Sequence, residues 1–198
     1  MEINNLELVK PFLKFDSEND FYYLQILQRK KENPQLGSNS RVIKNYYITS
    51  AEYLESHYHE IMELCKHFNA RAMLRLNRRC YEKTAYKAMI NIANSMGNKE
   101  FSFIKKSYDR AVGSGNAEPK ETKSWILDWD GEFDKFDKSE IEIILNNSRP
   151  EGNKVLAYIP SKSGVHIIVK PFDSRDLVGY YPDMDICKNN PTNLFIPE

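Results

Sequence analysis

Apolar and polar positions change period several times along the chain, and each change predicts an element. Residues 21–31, FYYLQILQRKK, are aromatic and β-branched enough for a strand. The turn-forming stretch NPQLGSNS (33–40) separates them from RVIKNYYI (41–48), so the two runs predict a hairpin with a long loop. Thr49 with Glu52 three residues on has the form of a capping box. Leu54, Tyr58, Ile61, Cys65 and Phe68 follow at helical spacing, which predicts an amphipathic helix over 50–68. ARAMLRLN (70–77) alternates instead, with Ala72, Leu74 and Leu76 on one face and Arg71, Met73 and Arg75 on the other. A helical stripe returns at Tyr81, Ala85, Ala88, Ile92 and Met96 and stops at Gly97. A further helix is expected from about Lys99 to Val112.

GSGNAEPKETK (113–123) is the clear shift in composition and is expected to part a first half, 1–115, from a second, 116–198, within one domain. The second half reads as a strand (123–130), a helix (about 138–147), strands at 154–159 and 165–171, a loop, and short strands near 183–187 and 193–196. That order resembles an RRM-like antiparallel sheet with helices on one face. With the N-terminal α/β unit beside it, the expected class is α+β.

The 198 residues include 41% hydrophobic positions, enough to build a sizeable core and to exclude global disorder. Lys+Arg and Asp+Glu both number 28, so total charge argues neither for nor against nucleic acid. Cys65, Cys80 and Cys187 form no CxxC pair and suit free thiols in a reducing cytosol. No secretory leader and no long apolar run is present, so a cytoplasmic protein without membrane contact is expected.

Chemistry concentrates in three places. In WILDWDG (125–131), strand alternation puts Ile126, Asp128 and Asp130 on one face, with the two carboxylates ~7 Å apart. Their repulsion and desolvation are relieved by Mg²⁺ or Mn²⁺, which prefer oxygen ligands; the plainer reading is an exposed Asp128 and a turn starting at Asp130. In YIPSKSGVHIIVKPF (158–172), Val165, Ile167 and Val169 must face the core, which leaves His166 and Lys170 opposite. Together with Lys162, Ser163 and the backbone at Gly164 they suit a phosphate; a surface histidine in a hairpin is the alternative. In PDMDICKNN (182–190), Asp183, Asp185 and Cys187 share a face, and one aspartate can complete a metal site.

The order of these pieces resembles the archaeo-eukaryotic primase superfamily, the catalytic core of primases and primase-polymerases. Its two-acid strand is matched by Asp128 and Asp130, its small-residue–x–histidine motif by Gly164-Val165-His166, and its hydrophobic–Asp pair by Met184-Asp185. Ser163 stands one place earlier than the strictest form of the second motif. The resemblance implies nucleotidyl transfer: Asp128, Asp130 and Asp185 as catalytic residues holding two Mg²⁺ or Mn²⁺ ions, and His166 on the phosphates of an incoming NTP or dNTP. It implies a single-stranded DNA template as partner, and the absence of a zinc site and of a further helical module implies a bare core, of a kind suited to a phage or mobile element, working with a helicase or another replication partner. Arg71, Arg75, Arg78 and Arg79 are expected to track template phosphates, with Lys105, Lys106 and Arg110 near in sequence, or else to form a solvated face. His57, His59, Cys65 and His67 lie on one helix but cannot converge on zinc, since His57 and His59 sit ~200° apart around it. A catalytically silent replication or single-strand-binding module and a metal-dependent nuclease are the competing readings.

Overall fold

The computed structural model describes residues 2–37, 39–114, 122–131, 137–182, 184–189 and 191–198. The expected hairpin forms from β2 (Asp20–Gln28) and β3 (Arg41–Ile48). It is joined by β1 (Ile3–Asn4), β4 (Arg71–Leu74), β5 (Arg79–Cys80) and the last strand of the chain, β10 (Thr192–Ile196). The order is β1-β10-β4-β2-β3, with β5 paired to the start of β2. A second, smaller sheet holds β6 (Trp125–Asp130), β7 (Val155–Pro160), β8 (Gly164–Val169) and β9 (Asp185–Cys187) in the order β7-β8-β6-β9. All pairings are antiparallel, and the fold is α+β.

Helix α1 (Leu6–Val9) follows β1, and α2 (Ala51–Phe68) follows β3. The α2 stripe predicted from spacing is buried at Leu54, Tyr58, Ile61 and Cys65. Its N-cap is Ser50, whose Oγ accepts from the Tyr53 N–H, not Thr49. Asn69 ends α2 in the left-handed region at φ 46°, which asparagine tolerates. Helices α3 (Tyr81–Gly97) and α4 (Ser107–Ser114) pack together beside Phe21 and Tyr23 of the larger sheet. In the second half, α5 (Lys138–Asn147) follows β6 and α6 (Arg175–Tyr180) follows β8. The sequence pattern misses α6 because only Leu177 of its six residues is buried, so no periodicity shows.

The smaller sheet has the β–α–β–β–α–β chain order of a split βαβ unit. One face, with Leu127, Val165, Ile167 and Val169, packs on Ile141, Ile144 and Leu145 of α5 and Leu177 of α6. The other face is not open. Ile126, Ile159 and Ile168 join Leu24, Ile26, Leu74 and Phe195 in a core shared with the larger sheet and α2. The halves are also laced together, because β10 returns to lie between β1 and β4. Asn5 Nδ2 donates to Asn193 O and to Pro160 O, both at 2.9 Å, so one buried amide ties both sheets. No helix among the described residues is long and apolar enough to cross a membrane.

Candidate active site

Strand β6 is central, and its register decides what its acids meet. Asp128 stands opposite His166 of β8 on one side and Asp185 of β9 on the other. Residues directly opposed in an antiparallel pair point to the same face, with Cβ atoms roughly 4.5–5.5 Å apart. Asp128, His166 and Asp185 therefore form one cross-strand row, and Asp130 follows two residues along the same face, opposite Gly164. Asp183 lies outside the described residues. Among the described residues, no group of three His, Cys, Asp or Glu side chains is already gathered tightly enough to hold a metal ion. Closing the row on an ion takes rotation of Asp130 and Asp185, both exposed. Asp130 accepts a hydrogen bond from Ser163 Oγ at 2.7 Å.

His166 lies inside the molecule, at 7% exposure, not on a solvated face. Both faces of β8 are covered, so its polar face had to fold against the larger sheet. The imidazole Nδ1 is 2.9 Å from Thr192 Oγ1, and Nε2 is 3.4 Å from Asp128 Oδ1. Burial pushes His166 below the usual histidine range, against the pull of Asp128, and Arg71 and Arg29 push the same way as burial. A ring kept neutral turns Nε2–H toward the carboxylate and lets Nδ1 accept from the Thr192 hydroxyl. Burial raises the Asp128 carboxyl above its ordinary range; His166 opposes this, while Asp130 and Asp185 add to it. A neutral histidine leaves the carboxylate charge uncompensated, the condition a divalent cation relieves.

Basic side chains line the rest of the cleft, and Arg29 and Lys31 among them were announced by no local motif. Arg29, Lys31 and Glu32 come from the turn after β2, Arg71 from β4, and Lys162 and Ser163 from the β7–β8 turn. With Asp128, Asp130 and His166 they line a cleft of about 380 Å³. Four cationic side chains line it together with three carboxylates, Asp128, Asp130 and the Arg71-paired Glu32, so the cleft can take both an anion and a cation. The 29–33 turn is held by Asn33, only 2% exposed, whose Nδ2 donates to Arg29 O at 3.0 Å and to Asn69 O at 2.9 Å. A second cleft, of about 350 Å³, lies beyond the acids and is lined by Asp185, Trp129, Tyr180, Tyr181 and Met184. Asp128 and Asp130 line both.

The remaining expected residues separate clearly. Lys162 and Ser163 are at the cleft. Gly164 is needed for close approach, since a Cβ there would lie 1.9 Å from the Trp129 carbonyl oxygen. Lys170 is not at the cleft: it is exposed beyond the far end of β8, with buried Ile168 between it and His166. The arginine track does not form. Arg71 is 6% exposed and paired with Glu32 inside the cleft. Arg75 donates to Asn189 O from a half-buried position. Arg78 bridges Asp16 at 2.6 Å and Asp20 at 2.9 Å. Arg79 is fully buried, donating to Val112 O, Asn77 O and Asn189 Oδ1. These three brace loops, because ARAMLRLNRR leaves its strand after Leu74 and turns inward. Arg29, Lys31, Glu32, Thr192 and Asn193 went unmarked in the sequence; the basic run at the end of β2 was the one available signal.

Comparison with known proteins finds no family model, no curated protein and no solved structure that matches this chain.

Proposed function

We propose that the chain is a template-dependent nucleotidyltransferase of the primase or primase-polymerase type, acting on an NTP or dNTP. The observation that carries this reading is the meeting of two unlike sets in one cleft: Asp128, Asp130 and His166, with Asp185 next in their row on the neighbouring cleft, and the cations Arg29, Lys31, Arg71 and Lys162. Nucleotidyl transfer needs both, a carboxylate set for divalent ions and a cationic set for a polyphosphate. The β–α–β–β–α–β order of the smaller sheet, with its acids on a central strand, supports the RRM-like reading of this half.

The donor chemistry fits Mg²⁺ or Mn²⁺: oxygen-only carboxylates, repelling one another, at the edge of solvent. When bound, such ions would lower the pKa of an attacking 3′-hydroxyl and offset charge on the leaving pyrophosphate. The chain's own residues do the rest. Arg71 and Lys162 hold phosphate oxygens, with Arg29 and Lys31 behind them. Ser163 orients Asp130. Thr192 orients His166, which in turn fixes Asp128, so His166 acts through the acid and not by direct reach into bulk solvent.

The single-stranded template has a different support from the one the arginine run suggested. A cleft of about 550 Å³ lies between the β2–β3 face and α4, lined by Arg41, Lys106 and Arg110 with the amides of Gln25 and Asn45. Arg41 pairs with Gln28, the residue before Arg29, so this basic surface adjoins the proposed triphosphate wall. Cations beside amides and the Tyr23 side chain suit a single strand. A cytoplasmic setting and a helicase or other replication partner complete the proposal.

The test is a product assay with a labelled single-stranded template, with and without primer, NTPs or dNTPs, and Mn²⁺ or Mg²⁺. Extended products support the transferase. Shortened template would make the acids a nuclease centre, and an unchanged template that is nevertheless bound would make the chain a silent binding module.

A further inference from the structure

Glu32 is surrounded by cations from separate parts of the fold. Its Oε2 accepts from Arg71 Nε at 3.0 Å, and its Oε1 accepts from Arg71 Nη2. The same Oε1 accepts from Lys162 Nζ at 3.3 Å. Arg71 belongs to β4 of the larger sheet, and Lys162 to the β7–β8 turn of the smaller one. One carboxylate oxygen is thus shared by a guanidinium and an ammonium from the two sides of the cleft. A phosphoryl oxygen would receive the same donors in the same way. Arg29 and Lys31 line the cleft as well, so the single Glu32 charge leaves that wall cationic.

The surroundings favour a fixed backbone with a replaceable side-chain charge. Glu32 N donates to Arg29 O at 3.1 Å, and Asn33 pins the turn behind it. The Glu32 side chain is 12% exposed, whereas Lys162 is 55% exposed, so the lysine approaches the carboxylate from the solvent side.

We propose that Glu32 is an internal stand-in for a ligand phosphate: it holds Arg71 and Lys162 together across the cleft and yields them to an incoming triphosphate. The proposal rests on the reading of the cleft as a triphosphate site and adds a selectivity device to it. An anion must outcompete a carboxylate already in place. A triphosphate does so because its further oxygens also meet Arg29 and Lys31, which Glu32 alone does not satisfy. A monophosphate has no such surplus and is rejected.

The experiment is calorimetric titration of the metal-free protein, at low ionic strength, with inorganic tripolyphosphate and separately with inorganic phosphate. Glu32→Gln removes the competing charge while keeping a similar shape. Tripolyphosphate should bind this variant roughly three- to tenfold more tightly than the wild type, and the preference over phosphate should narrow. Lys162→Ala should weaken tripolyphosphate binding by a similar factor; with that side chain largely exposed, this second variant keeps the proposal testable if Glu32→Gln folds poorly. Unchanged or weaker binding by a folded Glu32→Gln would make Glu32 a permanent clamp for Arg71 and overturn the proposal, as would unchanged binding by Lys162→Ala. Neither template nor turnover enters this measurement. A protein that shows the expected binding pattern but extends no strand would retire the transferase reading alone, and one that extends strands with Glu32→Gln unchanged would retire the Glu32 proposal alone.

Discussion

Asp128 is held where burial, Asp130 and Asp185 all disfavour its charge, while His166 and Arg29 oppose them. Such an arrangement costs stability. Asp128→Asn should therefore raise the midpoint of thermal unfolding, by about 2–4 °C for roughly 1 kcal/mol, while abolishing activity; a lowered midpoint would contradict this account of the site. His166 has the opposite electrostatic sense. Its pKa in the folded protein lies below that of the unfolded chain, so the unfolded chain takes up the proton first. Stability is then fully present above about pH 6.5 and falls as pH drops toward the lower folded value. The raised Asp128 titrates with the reverse sign, so the comparison is best made in the Asp128→Asn background. There, His166→Gln should flatten the dependence of the denaturation midpoint between about pH 5 and 7, and an unaltered slope would refute the buried neutral ring. At this scale Asp128, His166 and Asp185 were legible, because strand alternation is a local property that survives folding. Arg29, Lys31 and Glu32 were not, because their place opposite the acids comes from a sheet whose last strand enters more than a hundred residues later.

The elements that carry the site depend on close approach between β6 and β8. Gly164 faces Asp130 across that pair, and an added methyl would collide with the Trp129 backbone rather than with a movable side chain. Gly164→Ala should cost about 2–4 kcal/mol and misplace Ser163 against Asp130; a chemical denaturation midpoint equal to the wild type would show that the strands can part there without loss. The start of α2 offers a finer test. Ser50→Ala should cost about 1 kcal/mol, since it removes the acceptor for the Tyr53 N–H, whereas Thr49→Ala should cost far less. The capping signature was legible in the sequence but displaced by one residue, as two adjacent hydroxyl residues compete for the cap. Helix α2 and the hairpins were legible because each repeats its period over several turns or pairs. Helix α3 was legible as a helix, but its expected stripe leaves Ala85 and Met96 exposed, and Thr84 and Ser95 are buried beside Ala88 instead. Helix α6 and strand β5 were too short to show one.

On the scale of the whole molecule, the expected division near residue 115 describes the chain order but not the packing. Ile126, Ile159 and Ile168 of the smaller sheet share a core with Leu24, Leu74 and Phe195 of the larger one, and β10 crosses from one half into the other. That exchange was invisible in the sequence, where 193–196 reads only as one more apolar run. Ile168→Ala should destabilise the protein by about 2–5 kcal/mol. Both tryptophans lie on β6, so their fluorescence reports the smaller sheet, while far-ultraviolet dichroism weighs the α2 and α3 helices. Both signals should shift together in this variant; separate transitions would mean that the halves unfold independently. The cleft exists only because the halves are joined, with Asp128, Asp130 and Lys162 on one and Arg29, Lys31 and Arg71 on the other. Its proposed chemistry is tested most directly by the single-turnover rate of nucleotide incorporation on a primed single-stranded template with Mn²⁺. The wild type should incorporate, and Asp128→Asn, Asp130→Asn and Asp185→Asn, each confirmed folded, should each be slower by at least about a hundredfold. Incorporation unaffected by all three substitutions, or no incorporation by a folded wild type with either Mn²⁺ or Mg²⁺, would contradict the account.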